Sequence, residues 1–314
     1  MAPRVHHDRI ELRDADHVDV AFEGFTFAST QLGGGALNSV YDRIAFDDLV
    51  VIRNHESLAR VDEYRLPDDT VGLALYKPGN GPVRWCGLEV PVDAFLLNPR
   101  NGDYVMVLPE AHEGIDIVFN CALADELGLR AGLARFGAEP TTHWIQPLGE
   151  VGEQLRSWLF HIFDESQEAD AIASDPTAAA AFRTQLLDHL VRLLDRPPRR
   201  RRVRRLRRHG LVRRAHDVIV SRLDESLSTT ALAANLGVSA RVLQYAFHDT
   251  LDTTPHRYAV LQRLHAVRRE LRRAPQTVAE VARRHGFREM GRFSGLYRRA
   301  FGELPSETQH RGLG

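Results

Sequence analysis

Five polar side chains between residues 239 and 248 have the types and spacing needed to read the edges of DNA bases. An arginine can hydrogen-bond both acceptors of guanine and a glutamine can pair with adenine, and each such contact discriminates by about 1–3 kcal/mol. On a helix, residues three and four positions apart lie on one side, so these side chains can share a face. We expect a DNA-reading surface here, with an ordinary solvated face as the alternative. The candidates are Ser239, Arg241, Gln244, Tyr245 and His248.

The segment around these side chains is typical of a helix-turn-helix. Ala233 is small where two helices must cross, Gly237 allows a left-handed backbone in the turn, and Ser239 can cap the second helix. Apolar contact between the two helices is expected from Leu232, Leu236, Leu243 and Phe247.

A second copy of the unit follows about 49 residues later. Ala282 and Gly286 occupy the positions of the first alanine and glycine, and Thr277 with Glu280 forms a capping-box pattern. Pro255 predicts the start of a longer helix between the copies, with an inner face from Tyr258 to Leu271. Two linked copies are far less expected by chance than one. The candidate DNA-binding residues of this second unit are Arg288, Met290, Arg292, Ser294 and Arg298.

Charge divides the 314-residue chain at the Pro197-Pro198 pair. The whole chain has a net charge of −1, but residues 1–195 carry 15 Arg and Lys against 32 Asp and Glu, whereas residues 196–314 carry 26 against 10. A basic half attracts polyanions and an acidic half does not, so the C-terminal half is the expected nucleic-acid binder. The arginine-rich run at 199–208 is either a phosphate-contacting arm or a solvated spacer.

The acidic half predicts strands followed by helices. Short apolar runs separated by turn residues are typical of strands in a barrel or sandwich, and they lie at 49–52, 70–76, 94–97, 104–108 and 115–119. Apolar residues then recur at three- and four-residue steps in two segments, from Leu148 to Phe163 and from Pro176 to Leu194. These two helices could pack on their own domain, mediate dimerisation, or do both.

The C-terminal residues resemble the AraC/XylS-type bacterial transcription regulators over roughly 211–310. The most specific segments are 241–247, 254–258, and Gly286-Phe287 leading to 301–307. Within that family the second unit looks most similar to the subgroup that includes ethanolamine-operon activators. It departs from many members in carrying Gly291 and Gly295, and each glycine lowers helix propensity by about 1 kcal/mol relative to alanine. The resemblance implies a domain with two helix-turn-helix units and RNA polymerase as a partner.

Family members often carry a cupin-like β barrel that binds a small effector, and the N-terminal pattern is compatible with one. Metal-binding cupins place two histidines one residue apart, and the strand region has no such pair, so we expect no metal site. No catalytic motif or cofactor fingerprint occurs, so we expect no enzyme and no cofactor. Candidate effector-binding residues are Tyr76, Trp85, Asn98, Tyr104 and His112.

We therefore predict an α+β, two-domain DNA-binding transcription regulator, with activation favoured. Residues 1–195 would sense an unknown small molecule and form a homodimer, with a cupin-like barrel at about 18–125 and a helix pair at about 145–195. Residues 196–210 would be an arginine-rich linker, and 211–314 an all-α domain that binds double-stranded DNA. The chain has no signal peptide and no transmembrane segment, which predicts a cytoplasmic protein. The alternatives are a cupin-type enzyme with a DNA-binding tail and a non-specific architectural DNA binder.

Overall fold

The N-terminal half forms strands followed by helices, and the C-terminal half forms helices. The structure is a computed structural model, and it describes residues 5–22, 24–79, 81–98, 104–129, 133, 144–195, 207–273 and 276–312. Within these ranges the strands are β1 (Val5–Leu12), β2 (Thr26–Gln31), β3 (Ser39–Phe46), β4 (Leu49–Glu56), β5 (Arg60–Arg65), β6 (Thr70–Tyr76), β7 (Val83–Trp85), β8 (Leu88–Val90), β9 (Ala94–Asn98), β10 (Tyr104–Leu108), β11 (His112–Asn120) and β12 (Trp144–Pro147).

The strands form two antiparallel sheets. The larger has the order β1-β3-β4-β11-β6-β9-β12 and the smaller has the order β2-β5-β10-β7-β8. Alternate side chains of each strand point to opposite faces. The inner faces of both sheets share a core that includes Tyr64 and Met106 from the smaller sheet and Tyr76 and Leu96 from the larger one. A cavity between the sheets therefore has walls from both.

Helices cover the outer face of the larger sheet. A short helix α1 (Cys121–Glu126) follows β11, and the group α2 (Gly149–Asp164), α3 (Ser166–Ser174) and α4 (Pro176–Leu194) comes after β12. Leu155 and Leu186 are fully buried in one hydrophobic core with Ile117 of the sheet. The two predicted helices thus pack on their own domain, and the short α3 between them was not predicted.

Several boundaries differ from the prediction. The β region begins at Val5 rather than near residue 18, because polar β1 pairs along its whole length with β3. The strands of the described residues lie in two sheets, and no closed barrel is formed by them. The predicted linker 196–210 lies largely outside the described residues, and its last four residues belong to a helix that starts at Arg207. The division into domains otherwise stays a prediction.

The C-terminal half contains seven helices within the described ranges. They are α5 (Arg207–Val220), α6 (Thr229–Asn235), α7 (Ala240–Leu251), α8 (Pro255–Leu271), α9 (Val278–Arg284), α10 (Met290–Phe301) and α11 (Pro305–Gly312). None of the described helices of the chain is long and apolar enough to cross a membrane.

The central helix α8 is enclosed on nearly every side. Residues 261–268 are all buried, which an amphipathic surface helix would not show. One face carries the predicted Leu264 and Val267 into the helical core. The opposite, polar face lies against β2: Gln262 Nε2 donates to Thr30 Oγ1 at 2.8 Å, and the Gln31 backbone N–H donates to His265 Nε2 at 3.2 Å. The N-terminal half therefore docks directly on the helix that joins the two helix-turn-helix units.

Candidate nucleic-acid interface and inter-sheet cavity

The first helix-turn-helix comprises α6 and α7. Ser239 caps α7, its hydroxyl oxygen accepting from the Val242 backbone N–H at 3.3 Å. Gly237 has φ +66°, the left-handed backbone that the turn requires, and Ala233 is 1% exposed at the helix crossing. These three predicted roles are confirmed.

The outer face of α7 presents all five predicted contact residues to solvent. Tyr245 is 49% exposed and the His248 side chain is 74% exposed, while Leu243 and Phe247 on the opposite face are fully buried. This separation matches a recognition helix, whose outer side chains must reach base edges. Their contact with DNA remains a prediction.

Two of these side chains form a pair that the sequence did not reveal. The Arg241 guanidinium lies 5.5 Å from the centre of the Tyr245 ring, and Arg241 Nη2 donates to the Tyr245 hydroxyl at 3.1 Å. An arginine already held on an aromatic ring loses less side-chain conformational entropy on binding than a freely rotating one. The spacing of four residues on a helix was the available signal.

The second unit comprises α9 and α10. The Thr277–Glu280 capping box is present, with Glu280 Oε2 accepting from the Thr277 backbone N–H at 2.9 Å. On α10, Phe293 and Tyr297 are buried. Of the predicted contact residues, Arg288, Arg292 and Arg298 are exposed, whereas Met290 and Ser294 are half-buried. Met290 also packs against the helical core, so its side chain serves the fold as well.

The turn of the second unit is closely packed. Gly286 has φ +77°, and a Cβ there would lie 2.8 Å from the Asp224 carbonyl oxygen, so only glycine fits without movement. The two glycines on α10 have space for a side chain. A Cβ at Gly291 would meet nothing within 4 Å, and one at Gly295 would lie 3.6 Å from Arg299 Nη1.

Oppositely charged residues join the two halves of the chain. Arg268 of α8 donates to Asp14 at 3.1 Å and to Glu303 at 3.1 Å, and all three side chains are buried. Arg269 donates to Asp16 at 3.1 Å, and Arg272 also pairs with Asp14. The charge asymmetry in the sequence thus contributes to docking between the halves in addition to its expected role toward DNA.

A glycine loop also reaches the second unit. The Gly35 backbone N–H donates to the Arg299 carbonyl at 3.1 Å, at the end of α10, and Gln31 Nε2 donates to the Ala300 carbonyl at 2.6 Å. The N-terminal half therefore supplies hydrogen bonds to carbonyls that the end of α10 leaves unpaired. The outer face of α7 and the exposed arginines of α10 stay accessible in this docked arrangement.

The inter-sheet cavity has a volume of about 40 Å³. One wall is aromatic, with Phe22, Phe25 and Phe27, and the remainder combines apolar side chains such as Leu66 and Leu108 with a smaller set of polar ones. Three of the five predicted effector-binding residues, Tyr76, Asn98 and His112, line it. Trp85 and Tyr104 instead lie behind Tyr64, with Trp85 Nε1 donating to the Tyr64 hydroxyl at 3.1 Å.

A buried ionic cluster forms part of the cavity wall. Arg60 donates to Asp62 at 2.9 Å and to Glu56 at 2.8 Å, and Ser29 donates to Asp62 at 2.7 Å. Sequence reasoning missed this cluster, although Arg60 and Asp62 alternate along one strand and so share a face. A charged residue inside the apolar run 115–119 was a similar signal for Asp116.

Two further ionisable groups in the cavity have displaced pKa values. Burial raises the pKa of Asp116 to about 7, although Asn54 Nδ2 donates to its carboxylate at 2.7 Å and Arg60 lies nearby. Burial lowers the pKa of His112 to about 3, with Arg60 adding to the effect, so this imidazole is neutral at pH 7. Within the described residues, no group of three or more His, Cys, Asp or Glu is placed to hold a metal ion.

A known family and several known proteins are similar in sequence to parts of this chain. A family described as a helix-turn-helix domain matches residues 232–311. The probable thc operon regulatory protein of Rhodococcus erythropolis is 32% identical over 161 residues, which are 50% of this chain and 48% of that protein. A XylDLEGF operon transcriptional activator of Pseudomonas putida is 36% identical over 93 residues, covering 29% of each protein.

A solved structure of a probable AraC family transcriptional regulator from Rhodopseudomonas palustris CGA009 is 31% identical, covers 33% of this chain and 97% of that chain, and has a TM-score of 0.31. The chain spans about half the length, or less, of the two curated relatives described above. The matched helix-turn-helix segment contains most of both units, and the relatives are regulators. By these matches residues 232–311 carry a helix-turn-helix domain, and the chain is similar to AraC/XylS-type transcription regulators.

Proposed function

We propose that the protein is a sequence-specific, DNA-binding transcription regulator, acting as an activator, rather than an enzyme. The observation that carries the proposal is the pair of helix-turn-helix units, each with exposed polar side chains on its second helix, joined by the enclosed helix α8. A rigid connection between two recognition helices suits binding to two successive segments of the major groove. The regulators among its relatives support the same function.

We further propose that the N-terminal half is a cupin-like sensing domain for a small molecule. Its support is the inter-sheet cavity with convergent polar groups, which is the usual form of a ligand site. The effector would act by favouring one arrangement of the two halves, because a ligand shifts an equilibrium only through different affinities for its states. RNA polymerase as the partner, homodimer formation and a cytoplasmic location belong to the same proposal.

The decisive experiment is DNase footprinting of the full chain on fragments from upstream of its own gene and neighbouring genes. A regulator with two reading helices should protect a defined site of about 20 base pairs, covering two adjacent major-groove segments. Shuffled fragments of equal length and composition are the control. Uniform, salt-dependent protection of both sets would instead identify a non-specific architectural protein.

The oligomeric state needs a separate measurement. Light scattering coupled to size-exclusion chromatography, over a tenfold range of protein concentration, should give the mass of two chains. A mass of 35.4 kDa throughout would contradict the homodimer.

A further inference from the structure

The charge of the inter-sheet cavity restricts the kind of ligand that it can accept. Three buried or half-buried carboxylates lie in or directly behind its wall, from Glu56, Asp62 and Asp116, against one guanidinium, from Arg60. In a low-dielectric interior an uncompensated charge is costly, and attraction to an opposite charge is strong. An anionic ligand would therefore meet an excess of like charge here.

Two of the three guanidinium nitrogens of Arg60 already donate to protein partners. Its Nε donates to Asp62, and its Nη1 donates both to Glu56 and to the Tyr41 hydroxyl, at 2.7 Å for the last. Glu56 is also held by the Tyr41 hydroxyl, which donates to it at 2.7 Å. A ligand carboxylate would compete with Glu56 and Asp62 for this guanidinium, whereas Asp116 stands outside the Arg60 hydrogen bonds.

Two deeply buried polar atoms in the cavity wall lack a hydrogen-bond partner among the described residues. They are His112 Nε2 and Asn54 Oδ1, in side chains that are 2% and 5% exposed. A Cβ on Gly114 would lie 3.0 Å from the former and 3.1 Å from the latter, so both border the space left by this glycine. Buried polar atoms are almost always paired, so these two atoms beside the cavity are available for hydrogen bonds with a bound polar group.

Resting on the sensing role proposed above, we propose that the inter-sheet cavity binds a small organic cation, such as a protonated primary amine. Its N–H groups would donate to Asn54 Oδ1 and the Asp116 carboxylate, with the neutral His112 imidazole as a further acceptor. Its apolar part would contact the aromatic wall. A water needs about 10–15 Å³ of such space, so a cavity of about 40 Å³ accommodates about three or four non-hydrogen atoms.

The test compares three probes of four non-hydrogen atoms each: propylamine, 1-propanol and acetate, which are cationic, neutral and anionic at pH 8. Binding to the full chain is measured by isothermal titration calorimetry without DNA. Propylamine should bind at least tenfold more tightly than 1-propanol, and acetate should not bind. Acetate as the tightest ligand, equal affinity for propylamine and 1-propanol, or no binding by any probe would each overturn the proposal.

Variants locate the binding site. Asp116→Asn keeps the shape of the side chain and removes its charge, so propylamine affinity should fall at least tenfold. Gly114→Ala places a methyl group beside His112 and Asn54 and should weaken binding through a different wall. Asp68→Asn, an equivalent change at an exposed position, is the matched control and should leave affinity unchanged. Unchanged affinity in both cavity variants would contradict the site.

The pH dependence of amine binding to the wild-type protein tests the role of Asp116 without mutation. Because Asp116 has a pKa of about 7 and an alkylamine stays protonated well above that, affinity should rise as the pH increases from 6 to 8. The other charged and titratable groups that face Asp116 are Glu56, Arg60, Asp62, Tyr64, Tyr76 and His112. Affinity that falls or stays flat over this range would count against the proposal. The footprint on DNA is measured without amine, so failure here leaves the proposed DNA-binding function intact.

Discussion

At the scale of single residues, the pairing of Arg241 with Tyr245 suggests how the first recognition helix is prepared for DNA. The ring supports the guanidinium in an exposed position, so less side-chain entropy is lost when it meets a base or phosphate. Sequence alone predicted both side chains as candidates, since their exposure follows from the helical repeat. Their contact with each other depends on rotamers, which the repeat does not determine.

Replacing Arg241 with alanine should weaken binding to the cognate site by about 1–3 kcal/mol, which is roughly 5- to 150-fold, and binding to random DNA far less. The measurement is a gel-shift titration on both DNAs at one salt concentration. Arg192→Ala, at an exposed position on α4, is the control and should change neither affinity. Equal losses on both DNAs would make Arg241 a phosphate contact.

The glycine at position 295 offers a test of the second recognition helix. Gly295→Ala should stabilise the protein by about 1 kcal/mol, because alanine favours the helix and its methyl group meets only the end of the Arg299 side chain. Chemical denaturation measures the gain. Gly302→Ala is the contrasting control: with φ +70° and a Cβ 2.7 Å from the Ala36 backbone nitrogen, it should destabilise. A loss of stability in the first variant would show that α10 requires glycine for another reason.

At the scale of elements, α8 shows where the sequence was informative and where it was not. Its apolar stripe and its start at Pro255 were predicted, because both follow from the helical repeat and capping chemistry. The polar side chains on its other face would be expected in water, yet Gln262, His265 and Arg268 are buried against residues more than 30 positions away along the chain. A periodic pattern reports which face is apolar, and a polar face buried by docking leaves no such pattern.

Among the strands, too, some were predicted from the sequence and others were not. The apolar runs predicted β4, β6, β9, β10 and β11, because their side chains are buried. Strand β5 was missed, since its inner face carries Arg60 and Asp62, which look like surface residues until their ion pair is known. The candidate DNA-binding residues were found by motif, whereas most of the polar cavity wall was not.

The docking of α8 should depend on Asp14, which pairs with both Arg268 and Arg272. Asp14→Ala leaves these cations with fewer partners, so docking should weaken by about 3 kcal/mol, as for other broken buried ion pairs. Small-angle X-ray scattering should show a larger radius of gyration than for wild type. Asp188→Ala, at an exposed position on α4, is the control. An unchanged radius and unfolding midpoint would show that the apolar and glycine contacts hold the halves together unaided.

At the scale of the whole molecule, acid should weaken the contact between the halves through His265. Burial lowers the pKa of His265 to about 4, below its ordinary value near 6.5, and its Nε2 accepts a hydrogen bond from Gln31. The His265 imidazole is therefore neutral in the folded protein at pH 7. Its contribution to stability is complete above pH 6.5 and is lost as the pH falls toward 4, by about 1.4 kcal/mol per pH unit.

Comparison with His265→Gln isolates this contribution, since glutamine keeps an acceptor and does not titrate. The unfolding midpoint in urea is measured for both proteins between pH 7 and pH 4.5. Wild type should lose stability relative to the variant as the pH falls. Asp116 has a raised pKa and acts in the opposite direction in both proteins, so it cancels in the difference. Parallel pH profiles would show that His265 stays neutral or already has a charged partner.

Strand β5 lies between the cavity and the helical half, and its two faces serve different neighbours. Arg60, Asp62 and Tyr64 face the cavity, while Glu63, on the other face, accepts a hydrogen bond from the Tyr258 hydroxyl of α8 at 3.2 Å. The thickness of one peptide backbone separates the two environments. A molecule bound in the cavity that displaces this strand slightly would also move Glu63, which holds α8 through Tyr258. Because α8 joins the two recognition helices, such a movement would reach their spacing directly, across a single strand.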